Sequence, residues 1–162
     1  ENLESDGTRH EWHSLRVRIH LRHDAGRAAR QRGSMRRSIY IDEFAHRNPI
    51  PNASRIGNII MSGFIRGVDP ATQILPPTIE QQCVFMFEHL RTTVEKGGGR
   101  VEDIIKVTFW MKELLRKPVN DEWIKMFPDP ASRPARQTME AAMEPGVLVQ
   151  CDFMAVIDPE RA

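Results

Sequence analysis

The chain has 162 residues, 40% of them apolar and 28% charged, with a formal net charge of +1. This is enough for one domain with a real core, and the composition is ordinary for a globular protein. It excludes a membrane span, because no apolar run approaches the roughly 20 residues required, and it shows no apolar block of the secretory-leader kind.

The net charge hides an asymmetry. Residues 1–34 carry seven Arg, five acids and no Lys, a balance of +2, and the remainder balances at −1. The near-neutral remainder argues against a nucleic-acid partner. The first 34 residues are rich in Arg and His, and strand-like sequence begins directly after Met35. Residues 1–34 are therefore expected to be an N-terminal extension outside the core fold, with the domain over 35–162. His10 and His13, and His20 and His23, have a helical spacing that a metal can use. The first pair is one residue short of HExxH, and no metal is expected. Cys83 and Cys151 form no CxxC pair, which points to reduced, buried thiols and a cytoplasmic protein.

Ser38–Ile41 reads as a short strand. Phe44 to Ala53, with two prolines and two asparagines, is a loop. Arg55 to Ile65 is a mostly apolar strand, and its Gly57 and Gly63 mark a bulge or a close backbone approach. Gly67-Val68-Asp69-Pro70 turns the chain. Thr78 and Gln81 form a capping box that opens a helix. Ile79, Cys83, Met86, Phe87, Leu90 and Val94 make its apolar stripe, and Gly97-Gly98-Gly99 stops it. His89 lies beside the stripe and is expected at the surface or core edge. The triple glycine ends a helix instead of opening one, so it is no phosphate loop.

Ile104 to Lys112 is the clearest strand. Ile105, Val107, Phe109 and Met111 take one face; Lys106, Thr108 and Trp110 take the other. Pro118 stands in the first turn of a second helix, with Val119, Trp123, Met126 and Phe127 inward. Trp110 and Trp123 read as packing residues. Pro128-Asp129-Pro130 ends the helix. Arg136–Met143 and Val147–Ile157 are the last two strands, joined at Glu144-Pro145-Gly146. The order is β-β-α-β-α-β-β, an α+β layer with helices on one face. Apolar side chains on both faces of several strands predict burial of the second face in a symmetric oligomer.

Two segments carry the chemistry. Arg133-Pro134-Ala135-Arg136-Gln137-Thr138 sets an arginine at the mouth of a strand. Val149-Gln150-Cys151-Asp152-Phe153 sets two polar side chains on one strand face. A guanidinium held this way grips a carboxylate through two parallel hydrogen bonds, so the pattern reads as a site for a small acid.

Several motifs together resemble the RidA/YjgF family, also called L-PSP endoribonuclease-like. They are Arg55-x-Gly57-Asn58 leading into Ser62-Gly63, Asp103-Ile104-Ile105-Lys106-Val107-Thr108, Asn120, Pro134-Ala135-Arg136 and the closing apolar strand. The resemblance runs from about Asn48 to Val156. It implies a chorismate-mutase-like fold with a six-stranded mixed sheet, two helices on one face, and a homotrimer with clefts between subunits. It implies hydrolysis of reactive enamines and imines to 2-oxo acids and ammonia, without cofactor or metal. Arg136 falls on the family's carboxylate clamp, Ser62 and Gly63 on cleft-lining positions, Asn120 on a cleft-side asparagine, and Thr138 on a position that is often cysteine. Two positions depart: the aromatic position falls on Ile50, and the glutamate that positions water falls on Gln150. An amide orients water but takes no proton. Asp152 shares a strand face with Gln150 and offers a carboxylate in place of the glutamate. The aromatic and Met content suggests a ligand bulkier than a two-to-four-carbon acid, such as an aminomuconate-like enamine. The alternatives are a trimeric binder of small carboxylic acids without catalysis, and a ribonuclease. The latter lacks a basic aromatic patch and a histidine pair.

Overall fold

The computed structural model describes residues 35–44 and 48–161. Residues 1–34, on which the expected extension and both histidine pairs fall, lie outside the described residues. Among the described residues the strands and α-helices run β1 (Arg37–Ile39), β2 (Ala53–Ile56), β3 (Ile59–Ser62), β4 (Ile65–Arg66), α1 (Ile79–Lys96), β5 (Ile104–Met111), α2 (Arg116–Met126), β6 (Ala135–Glu140) and β7 (Val149–Val156).

The helix α1 starts where its cap chemistry says it should: the Thr78 hydroxyl accepts from the Gln81 N–H at 3.4 Å, satisfying one of the free first-turn donors. Its stripe of Cys83, Met86, Phe87, Leu90 and Val94 is fully buried. Phe109 of β5 ties the layers together. Its ring centroid lies 5.7 Å from Phe87 of α1 and 6.0 Å from Trp123 of α2. Both helices therefore cover the same face of the sheet, as expected.

The sheet runs β1-β2-β3-β7-β5-β6, with β4 also pairing with β7. The expected six strands are seven, for a local reason. Met61 of β3 stands opposite Met154, and Ile65 of β4 stands opposite Cys151. One side takes an extra residue between these points, which is a β-bulge over Ser62-Gly63-Phe64. The bulge splits one lane into β3 and β4. The Ser62 hydroxyl fills the gap by accepting from the Phe153 N–H at 2.9 Å.

Three further expectations need correction. Residues 55–65 are not one strand: Ile56 pairs with Ile59 across a two-residue hairpin turn, and Gly57 takes a φ of +57° there, a conformation that glycine tolerates. Strand β6 ends at Glu140 instead of Met143, and β5 lies between it and β7, parallel to β6 and antiparallel to β7. The alternation in β5 slips at its start. A bulge between Ile104 and Lys106 turns Ile104 into the core and leaves Ile105 47% exposed.

One close approach fixes α1 against β4. A Cβ on Gly67 would stand 1.8 Å from the carbonyl oxygen of Gln82, so only glycine fits. Gln82 itself is buried and spends its amide on the backbone: it donates to the Pro76 and Gly146 carbonyls and accepts from the Leu148 N–H. This ties the approach to β7 onto α1.

Candidate functional site

Register decides which candidate residues can meet. Arg136 stands beside Val107, and Thr138 beside Phe109. Val107 and Phe109 are wholly buried under the helices. Neighbours across a sheet share a face, so Arg136 and Thr138 lie on the helix side, at the open edge of β6. Gln150 stands beside Trp110, and Asp152 beside Thr108, which puts both on the far face. Gln150 and Arg136 are two lanes and three residues apart, on the order of 14 Å between Cα atoms, with the sheet between them. The structure does not bring these two residues together within one chain.

On the helix side, the guanidinium carbon of Arg136 lies 5.1 Å from the ring centroid of Trp123, within cation–π range. Trp123 is thus more than the packing residue expected: it is the platform for the arginine. No signal in the sequence pairs them, because the pairing depends on where α2 crosses β6. Partial burial, and after it the positive charge of Arg116, push the Arg136 pKa down from its ordinary value. Arg116, Asn120 and Trp123 follow at helical spacing on one face of α2. Among the described residues, Arg136 makes no ion pair and no hydrogen bond, and the side chains of Arg116, Asn120 and Thr138 make no hydrogen bond either. These four polar groups are therefore without a hydrogen-bond partner among the described residues.

On the far face, the Trp110 indole donates to an Asp152 carboxylate oxygen at 2.9 Å. Phe64, from the bulge, stands edge-on to Trp110 at 5.7 Å. By register Gln150 sits between Trp110 and Arg66, and its side chain is without a hydrogen bond among the described residues. Arg66 is occupied: it holds Glu144 through two hydrogen bonds of 2.9 and 2.7 Å, which lowers the Glu144 pKa. Gly63 donates to the Asn52 carbonyl, and Asn52 pins the preceding loop by accepting from the Ile41 N–H and donating to Phe44. Ile50 lies exposed in that loop. The face around these groups is apolar and open: Met61 is 57% exposed and Phe64 45%.

His89 corrects another expectation. It is buried, not at the surface. Its ring stacks on Phe44 at 4.0 Å, and its Nδ1 lies 2.9 Å from the Arg66 carbonyl. The carbonyl can only accept, so Nδ1 carries the proton and Nε2 is left buried without a partner. Burial lowers the His89 pKa. Both cysteines are buried and unpaired. Burial pushes the Cys83 thiol up to about 12, so neither it nor Cys151, raised by the same cause, serves as a nucleophile. Among the described residues, no three His, Cys, Asp or Glu side chains gather as a metal site requires, and no helix is long and apolar enough to cross a membrane.

Residues 42–157 match the family described as Endoribonuclease L-PSP. The chain belongs to this family, the one that includes RidA and YjgF. A RutC family protein of Pyrococcus abyssi is 28% identical over 110 residues, 66% of this chain and 85% of the relative. The 2-iminobutanoate/2-iminopropanoate deaminase of Escherichia coli K12 is 30% identical over 104 residues, 62% of this chain and 81% of the relative. The crystal structure of the YjgF gene product from E. coli superposes with a TM-score of 0.66 at 27% identity, covering 74% of this chain and 98% of that one. The Rid family protein YyfA from Yersinia pestis, at 21% identity and a TM-score of 0.70, shares the fold. The L-PSP match spans the whole sheet except β1, and both helices.

Proposed function

We propose that this L-PSP family protein hydrolyses reactive imine and enamine acids to 2-oxo acids and ammonia. The observation that carries the reading is the Arg136 guanidinium, stacked on Trp123 with no carboxylate partner among the described residues. It grips the substrate carboxylate with two hydrogen bonds. A protonated imine is already electrophilic at C2. Water adds there, the C–N bond breaks, and ammonia leaves as the carbonyl forms. Holding acid and water in register supplies most of the acceleration. The relative named as a 2-iminobutanoate/2-iminopropanoate deaminase supports this class of substrate.

The water-orienting group in this proposal is Gln150. It lies on the opposite face of the sheet from Arg136, so the working site joins the helix-side edge of one copy to the far face of another. A homotrimer with clefts between subunits meets that requirement, with the apolar face around Met61 and Phe64 covered. The unpaired, buried cysteines fit a reducing compartment, and we place the reaction in the cytoplasm. The test is ammonia release on supplying a generator of 2-aminoacrylate or 2-iminobutyrate. A wild-type rate no greater than that of Arg136→Ala sinks the reading.

One observation favours a second reading, a trimeric acid binder without turnover. The Gln150 amide is no acid or base near neutral pH, and the Asp152 carboxylate is occupied by the Trp110 indole. Binding of 2-oxobutyrate without ammonia release, with activity gained in Gln150→Glu, distinguishes this reading from the first.

A further inference from the structure

The cation at Arg136 has a companion. Arg116 opens α2 on the same helix face as Asn120 and Trp123, and Trp123 is the ring on which Arg136 rests. Neither arginine has an ion-pair partner among the described residues. The two like charges are near enough for Arg116 to depress the Arg136 pKa. An anionic ligand that reaches both is attracted by both charges.

Arg116 also lines a surface depression of about 470 Å³, with Leu114, Leu115, Pro118, Glu80 and Asp121 among its walls. That volume falls in the range of small-molecule sites. Its walls combine the aliphatic Leu114, Leu115 and Pro118 with two cations, Arg116 and Lys117, and two acids, Glu80 and Asp121; the Asp121 carboxylate is held by Lys117 at 2.6 Å. Arg136 does not line the depression; Arg116 does, and its charge is the one felt at Arg136. The start of α2 adds to this: its N-cap is Leu115, which has no side-chain acceptor for the first-turn N–H groups, and a helix start favours negative charge.

Resting on the reading of Arg136 as a carboxylate clamp, we propose that Arg116 is a specificity-determining residue for a second acidic group. The preferred ligand is then a dicarboxylate 2-imino acid, with the carboxylate next to the imine on Arg136 and the distal one on Arg116. A monocarboxylate fills only half of this arrangement.

Calorimetric titration with stable 2-oxo acids tests this without requiring turnover. The probes are 2-oxobutyrate, 2-oxoglutarate and 2-oxoadipate, titrated into the full chain, into Arg116→Gln and into Arg136→Ala. Wild type is expected to bind at least one dicarboxylate on the order of tenfold more tightly than 2-oxobutyrate, the worth of a charge-assisted hydrogen bond. Arg116→Gln is expected to bring that ratio towards one, and Arg116→Lys to restore part of it. Arg136→Ala is expected to weaken all three acids. Equal affinities in wild type, or an unchanged ratio in Arg116→Gln, overturns the assignment of Arg116 while leaving the deaminase reading to its ammonia assay. If no acid binds, the Arg136 clamp fails and this inference fails with it. Thermal melts of each variant separate a lost contact from a lost fold.

Discussion

Arg136 and Trp123 stand 5.1 Å apart, guanidinium carbon to ring centroid, and they come from different layers of the fold. The ring holds the arginine in place without using its five N–H donors, which stay available to an anion. Arg136→Ala should therefore cost only about 0.5–1 kcal/mol of stability, yet reduce ammonia release to background. Arg136→Lys keeps the charge but loses the planar fork, and should lose on the order of tenfold in acid affinity. Urea melts beside the ammonia assay check both.

Gln150→Glu introduces a group that exchanges protons where the native amide only orients. If water positioning limits the rate, ammonia release should rise on the order of 100-fold, the lower range for general acid–base catalysis. Steady-state rates of the two proteins over a pH series decide this. A variant rate no higher than that of wild type would place the rate limit elsewhere.

The open face carrying Met61 and Phe64 should be buried between copies. Light scattering should give the mass of a trimer. Met61→Asp, which places a charge in that face, should lower the mass and abolish ammonia release together while helix content by circular dichroism is kept. A monomeric wild type that still releases ammonia would contradict the shared site.

His89 sets a pH dependence of stability. Its folded pKa lies below the ordinary 6.5, so the unfolded chain binds the proton first. The contribution of His89 is complete above the unfolded pKa. It declines as the pH falls through about 6.5 towards the folded value. Urea midpoints between pH 7.5 and 5 should fall more steeply for wild type than for His89→Phe, which retains the ring stacked on Phe44 and cannot titrate.

Gly67→Ala puts a methyl carbon 1.8 Å from the Gln82 carbonyl oxygen. Backbone, not a side chain, has to move, so the loss should exceed the ~1–3 kcal/mol typical of overpacking. A chemical melt measures it.

Much of the fold was legible because its signals are local. The three-and-four spacing from Ile79 to Val94, and Thr78 ahead of it, define α1 without reference to anything distant. The β5 alternation is equally plain from Val107 on. What escaped reading depends on distant partners. Gly57 reads as a glycine within a strand until Ile59 is seen to pair back on Ile56. His89 reads as a core-edge residue until Phe44 and the Arg66 carbonyl close over it. For the candidate site, the strands that carry the polar residues were legible but their sidedness was not. Arg136 and Gln150 each sit on a readable strand, yet their separation follows from β5 lying between β6 and β7, a matter of sheet order. The Trp123 platform and Arg116 were invisible because they depend on where α2 crosses β6.

The bulge at Ser62–Phe64 and the clamp at Arg136 belong to different lanes and opposite faces of one sheet, so in the proposed assembly each chain serves two pockets and owns neither. Damage would then be contagious. A copy lacking its guanidinium would silence a pocket whose other wall is sound, and two kinds of disabled chain, mixed before assembly, would recover some intact pockets. Genetic dominance and complementation, more than any single-chain defect, would be the signature of such a molecule.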